Sequence, residues 1–150
     1  MLAFALRADG WYLRQDIIWN KPNPMPESVR DRCTKSHEYI FLLSKNQNYY
    51  FDVDAIKEPT RRKRSVWNIN KKAYKDAHFA VYQPELVIPC IKAGSEKNDI
   101  ILDPFMGSGT TAMVAKELGR YYIGCELHEN YGKLIKNRVG EVRGTLTEFL

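Results

Sequence analysis

The chain has 150 residues, 44% of them hydrophobic and 27% charged, with a net charge of +5 and a pI near 9.1. That length can bury one core, and the balance is that of a soluble α/β or α+β domain rather than a disordered chain. No apolar run approaches the roughly 20 residues of a membrane span, and the opening MLAFALRADGWYL meets Arg7 and Asp9 at once, unlike a signal peptide. Cys33, Cys90 and Cys125 are odd in number and lack metal-ligand spacing, and His37, His78 and His128 are scattered. The expectation is a cytoplasmic protein without a metal site, its cysteines structural.

In chain order, AFALRADGWYLRQDIIWNK reads as the end of a helix, a turn at Asp9-Gly10 and a strand centred on Ile17, Ile18 and Trp19. PNPMPESVRDRCTKS follows as a loop, because its three prolines remove backbone donors and restrict their predecessors. HEYIFLLSK is a nearly continuous apolar run, the pattern of a strand buried on both faces, and NQNYYFDVDAI a turn with aromatic packing. Between Lys57 and Lys75 the chain becomes strongly basic, KEPTRRKRSVWNINKKAYK, an extended or irregular insert with Trp67 and Tyr74 interleaved. Such a segment suits phosphate contact and base stacking, and equally a solvated loop.

The last third is regular. QPELVIPCIKAG has Pro84 at a first helical position and Gly94 as a stop, with Pro89 expected to kink or shorten the helix. NDIILD is a short buried strand, PFMGSG a tight loop, TTAMVAKELG a helix ended by Gly119, YYIGCE a second strand and NYGKLIKNRV a last helix. Strand, glycine loop, helix and a second strand ending in an acid is the layout of a nucleotide-binding βαβ unit. Gly107 and Gly109 allow a sharp turn without a Cβ against a ligand, and Glu126 stands where an acid accepts hydrogen bonds from ribose hydroxyls. A phosphate-cradling loop would need a lysine where Thr110 stands, and a dinucleotide loop a third small residue that only Ala112 approximates. A plain structural turn remains the rival reading.

The stretch DPFMGSGTTAMVAKELGRYYIGCELHENY resembles the S-adenosylmethionine loop and downstream acid of the amino-methylating DNA methyltransferases, the N6-adenine and N4-cytosine group. HFAVYQPELVIPCI resembles the segment just upstream in that family, with Phe79 and Val81 where prolines often stand, and DIIWNKPNPMPESVRDRCTKSHEYIFLLSKNQNYYFD resembles its late catalytic-region strands. Motifs in this order, cofactor loop last, resemble the permuted β class. The resemblance implies a partial Rossmann-like α/β fold in one domain, with catalytic-side strands over 1–56, a basic recognition insert over 57–77 and the cofactor-binding βαβ part over 78–150. It implies S-adenosylmethionine as cofactor, held by Asp103, Pro104, Phe105, Gly107, Gly109, Thr110 and Glu126 with His78, Tyr82 and Glu85 nearby. Trp19, Lys21, Pro22, Asn23, Ser36, His37 and Glu38 would border the base pocket, or serve only packing. Arg61, Arg62, Lys63, Arg64 and Trp67 would contact double-stranded DNA.

Methylating a base amine needs acceptors for its hydrogens and an aromatic platform for the flipped base. The family supplies them with Asp, Ser or Asn followed by Pro-Pro and an aromatic, a motif these residues lack. In the permuted order it falls before Met1, so the chain reads as a C-terminal portion without a catalytic residue of its own. The family's sheet would then be left with a gap, and its exposed strands would call for a missing N-terminal part, a partner or self-association. A binding module without turnover and an RNA methyltransferase are the alternatives.

Overall fold

The computed structural model describes residues 2–70 and 82–140. They gather into two compact units that divide after Lys72, inside the basic segment.

In the N-terminal unit, helix α1 (Leu2–Ala8) ends at the Asp9-Gly10 turn, where Gly10 has φ +92°, and strand β1 (Tyr12–Asn20) follows. β1 pairs antiparallel with β2 (His37–Ser44), Ile17 opposite Ile40, with an irregularity between Leu13 and Gln15. The proline-bearing stretch between them forms no regular element. On its other side β1 pairs parallel with β3 (Val66–Asn68), Trp19 opposite Trp67, giving the order β2-β1-β3. The two indoles are the large buried side chains of this sheet, each 6% exposed. β3 makes part of the basic segment, expected as extended or irregular, a regular strand: three residues are too few for a period to register, and their partner strand lies far upstream. β2 is also not buried on both faces, since Tyr39 and Phe41 are exposed while Ile40 and Leu42 are half-buried. An apolar run marks two faces able to pack, and only one of them is covered here.

The C-terminal unit runs α2 (Pro84–Gly94), β4 (Ile100–Asp103), α3 (Thr110–Glu117), β5 (Tyr121–Gly124) and α4 (Glu129–Val139). Pro84 occupies the first turn of α2, as its missing donor and fixed φ favour. The helix passes through the buried Pro89 and ends at Gly94, so this proline does not shorten it. β4 and β5 are parallel, with Ile101 opposite Tyr122 and Leu102 opposite Ile123. Ile101 and Tyr122 pack with Ile91, Val114 and Ala115 of the helices, while Met106, Ala112 and Val139 form a second cluster behind the loop. The opposite sheet face is open, with Ile100 62% and Leu102 64% exposed beside Tyr121 and Ile123. The expected burial of β4 is therefore true of one face only. The three cysteines are exposed thiols rather than packed ones. Among the described residues no helix is long and apolar enough to cross a membrane, and no three His, Cys, Asp or Glu side chains gather as a metal site.

Candidate functional site

The residues singled out around the glycine loop converge. β4 delivers Asp103 to its end, and the chain then turns through Gly107 and Gly109, with φ +53° and +83°, values that L side chains rarely adopt. Two backbone bonds stitch this loop to the segment after β5: Met106 N donates to Cys125 O at 2.9 Å and Cys125 N to Asp103 O at 3.0 Å. Gly124 makes this approach possible, because a Cβ there would fall 1.8 Å from Met106 Cε. Gly109 is constrained twice, by its φ and by Ile135 of α4, whose Cγ1 would lie 3.2 Å from an added Cβ.

Glu126 stands two residues beyond β5 and is bound to the loop itself. Its Oε2 accepts the Gly107 N–H at 2.8 Å, and its Oε1 accepts the His128 N–H at 2.8 Å. These donors, His128 first, hold its carboxyl below the usual glutamate range. With two lone pairs per oxygen, the carboxylate keeps acceptor capacity toward solvent. In the same glycine loop Phe105 is 85% exposed and Pro104 is exposed.

Asp103 is fixed from two sides. Its Oδ1 accepts the Phe105 N–H at 3.0 Å and its Oδ2 accepts the Tyr82 hydroxyl at 3.0 Å. Tyr82 Oη also lies 2.6 Å from Thr111 Oγ1. Since the phenol gives its one proton to the carboxylate, Thr111 is the donor in the second bond. Burial pushes the Tyr82 phenol up to about 12, and the Asp103 charge adds to the shift.

Thr110 is buried, and its Oγ1 accepts a bond from Arg138 Nη1 at 2.9 Å. Arg138 Nη1 also reaches Ser108 Oγ at 2.8 Å and Ser108 O at 3.3 Å. Thr111 and Arg138 are additions to the sequence reading. Thr111 was adjacent to a named residue, whereas Arg138 carried no signal beyond being a basic residue in the last turn of a helix. Glu85 is exposed in the first turn of α2. His78 lies outside the described residues.

The candidates of the N-terminal unit are held mainly by their own fold. Trp19 Nε1 donates to Ile69 O at 2.9 Å. Lys21 is buried, its ammonium 4.6 Å from the centroid of the Trp19 ring and paired with Glu38. Lys21 N donates to Ser36 O at 2.7 Å, closing the neck of the loop in which Pro22 and Asn23 are exposed. His37 meets Tyr39 edge-on at 5.2 Å. In the basic segment Arg61 Nε bonds Glu58 Oε2 at 2.6 Å, which lowers the Glu58 carboxyl. Arg62 and Arg64 are exposed, and Lys63 sits 4.9 Å over the Trp67 ring. Trp67 donates to Arg64 O at 2.7 Å from within the sheet, so its ring roots the segment rather than facing solvent.

Residues 1–137 match the N6/N4 family described as DNA methylase. The type II methyltransferase M.SmaI of Serratia marcescens is 55% identical over 145 residues, covering 92% of this chain and 50% of that protein. The chain spans about half the length of the curated relatives it matches. The crystal structure of an M1.HpyAVI–SAM complex matches with a TM-score of 0.72 and 31% identity, over 91% of this chain and 67% of the other. The PvuII cytosine-N4-specific DNA methyltransferase matches with a TM-score of 0.82 at 19% identity, covering 98% and 58%. These likenesses give the fold as the Rossmann-like α/β fold of DNA methyltransferases, with an incomplete sheet.

Proposed function

The chain belongs to the N6/N4 DNA methylase family, and from that premise we propose that it carries the cofactor-binding and DNA-contacting side of a DNA methyltransferase. The reaction is transfer of a methyl group from S-adenosylmethionine to an exocyclic base amine, adenine N6 or cytosine N4. The observation that carries this reading is the Gly107 N–H held on Glu126, which fixes an acid against the glycine loop where a ribose would lie.

The residues fit that cofactor. Space above Gly107 is open, since an added Cβ would meet nothing nearer than Phe105 O at 3.9 Å. Glu126 would accept the ribose hydroxyls, Asp103 would face the cationic methionine end, and Phe105, Pro104, Gly109 and Thr110 would complete the wall. Tyr82 keeps its proton throughout the neutral range and so keeps the Asp103 carboxylate oriented. His78 and Glu85 belong to the same flank by resemblance. When bound, S-adenosylmethionine supplies an electrophilic methyl group. The work of this chain is to bind and orient it.

Exposed Arg62 and Arg64, with Arg61 and Lys63, would neutralise DNA phosphates, while Trp67 roots their segment in the sheet. Trp19, Lys21, Pro22, Asn23, Ser36, His37 and Glu38 would border the base pocket. The domain division that goes with these roles is 1–56, 57–77 and 78–150. Action on DNA fits a cytoplasmic location. No Pro-Pro-aromatic motif occurs in these residues, so the groups that hold the amine would come from polypeptide outside them. The open apolar face of β4 and β5 supports such a partner or self-association. A second reading, a cofactor- or DNA-binding module without turnover, is favoured by the same missing motif.

Calorimetry with S-adenosylhomocysteine is the test. Wild-type protein should bind, and Glu126→Ala should lose at least about tenfold in affinity, the worth of a charged hydrogen-bond acceptor. Binding by neither protein would end the cofactor assignment. Tritium transfer to unmethylated DNA then separates enzyme from module.

A further inference from the structure

Helix α4 meets the glycine loop through one face. Ile135 packs against Gly109 so closely that a Cβ there would meet its Cγ1 at 3.2 Å. One helical turn on, Arg138 directs Nη1 to three acceptors of the loop and the start of α3: Ser108 Oγ at 2.8 Å, Thr110 Oγ1 at 2.9 Å and Ser108 O at 3.3 Å. Ser108 and Thr110 are themselves buried, and they flank Gly109. The end of α4 is fixed in turn, because Lys116 of α3 donates to Val139 O at 2.6 Å.

A guanidinium beside the first residue of α3 opposes the helix macrodipole, so helix stability alone gives no reason for a cation there. What the contact does accomplish is geometric. Residues in left-handed conformations persist when their surroundings over-determine them, and Arg138 binds the residues on both sides of Gly109.

We propose that Arg138 is a positioning residue for the cofactor loop: from α4 it holds Ser108 and Thr110 so that the Gly107–Gly109 backbone keeps the shape that receives the ligand. This rests on the cofactor reading above. It adds to that reading a helix that lies after the ribose-binding acid and sets the loop from behind.

The test uses the full chain with three variants, Arg138→Met, Arg138→Lys and Glu126→Ala. Each is measured for S-adenosylhomocysteine affinity by calorimetry, for ligand-free melting temperature, and for hydrogen exchange in a peptide spanning residues 105–110. Arg138→Met should weaken binding about tenfold, the worth of a charge-assisted hydrogen bond, and speed exchange in that peptide with the rest of α3 unchanged. Arg138→Lys should recover part of the affinity. Should Arg138→Met fail to fold, the Lys variant carries the test: affinity equal to wild type with unchanged loop exchange overturns the proposal. Affinity that falls only in step with melting temperature, with exchange rising across the whole unit, overturns it too, because that is a structural role. Wild-type protein that does not bind removes the cofactor reading itself. Binding lost in Glu126→Ala but kept in Arg138→Met removes the positioning role alone.

Discussion

The two units use their polar side chains differently. In the N-terminal unit two indoles and a lysine are turned inward on the fold: Trp19 donates to Ile69 O, Trp67 to Arg64 O, and Lys21 lies buried between the Trp19 ring and Glu38. In the C-terminal unit Glu126 is fixed yet left half-exposed, held by two backbone N–H groups, while Phe105 of the glycine loop is exposed. The contrast teaches how to tell a scaffold from a site. A polar group whose bonds all serve its own fold resists substitution for reasons of stability, whereas a group oriented by the backbone with acceptor capacity to spare is preorganised for something else.

Substitutions in the two units should therefore separate stability from affinity. Trp67→Ala should cost about 3–5 kcal/mol, as for other buried aromatic truncations, measured by urea unfolding; a loss below about 1 kcal/mol would show that the indole does not hold β3 in place. Gly109→Ala should cost about 1–2 kcal/mol from its left-handed backbone, read as a lower unfolding midpoint, with Ile135 adding crowding and cofactor affinity falling as well. An unchanged midpoint would mean that the loop relaxes freely.

Smaller effects sharpen the same contrast. Arg62→Ala and Arg64→Ala should leave stability within about 0.5 kcal/mol, while each reduces the salt dependence of DNA binding by about one unit of slope. DNA affinity indifferent to both would break the phosphate-contact assignment. The smallest signal is in pH. The Glu126 carboxyl is held below its ordinary value in the folded protein, so what its charge contributes is complete above the unfolded-state value near 4.5. That contribution is lost as pH falls through the lower folded value. S-adenosylhomocysteine affinity should then stay flat from neutral pH down to the ordinary carboxylate range, and a fall already at pH 6 would implicate another group.

Much of the fold could be read from particular residues. Pro84, Gly94, Gly107, Gly109 and Gly119 mark where elements start, turn and stop because proline and glycine act locally, whatever surrounds them. The loop and its acid were legible for the same reason: a strand, two glycines, a helix and a second strand are contiguous in sequence. β3 was not legible, since a three-residue strand exists only by pairing with β1 far upstream. Nor was the one-sided burial of β2 and β4, because apolar residues on both faces reveal what could pack and not what does. Arg138 and Thr111 were missed because their roles arise from partners in other elements.

The sequence by itself determined the order of elements, the glycine loop with its acid, and through these the resemblance to amino-methylating DNA methyltransferases. Those are properties of short stretches governed by backbone sterics and hydrophobic period. Only the tertiary structure decided that Trp67 is a root and not an exposed stacking ring, that Tyr82 and Thr111 orient Asp103, and that Glu126 grips the loop by the Gly107 N–H. The reason is physical: hydrogen bonds and burial depend on distances between segments that are remote in the chain, and no local preference encodes those distances.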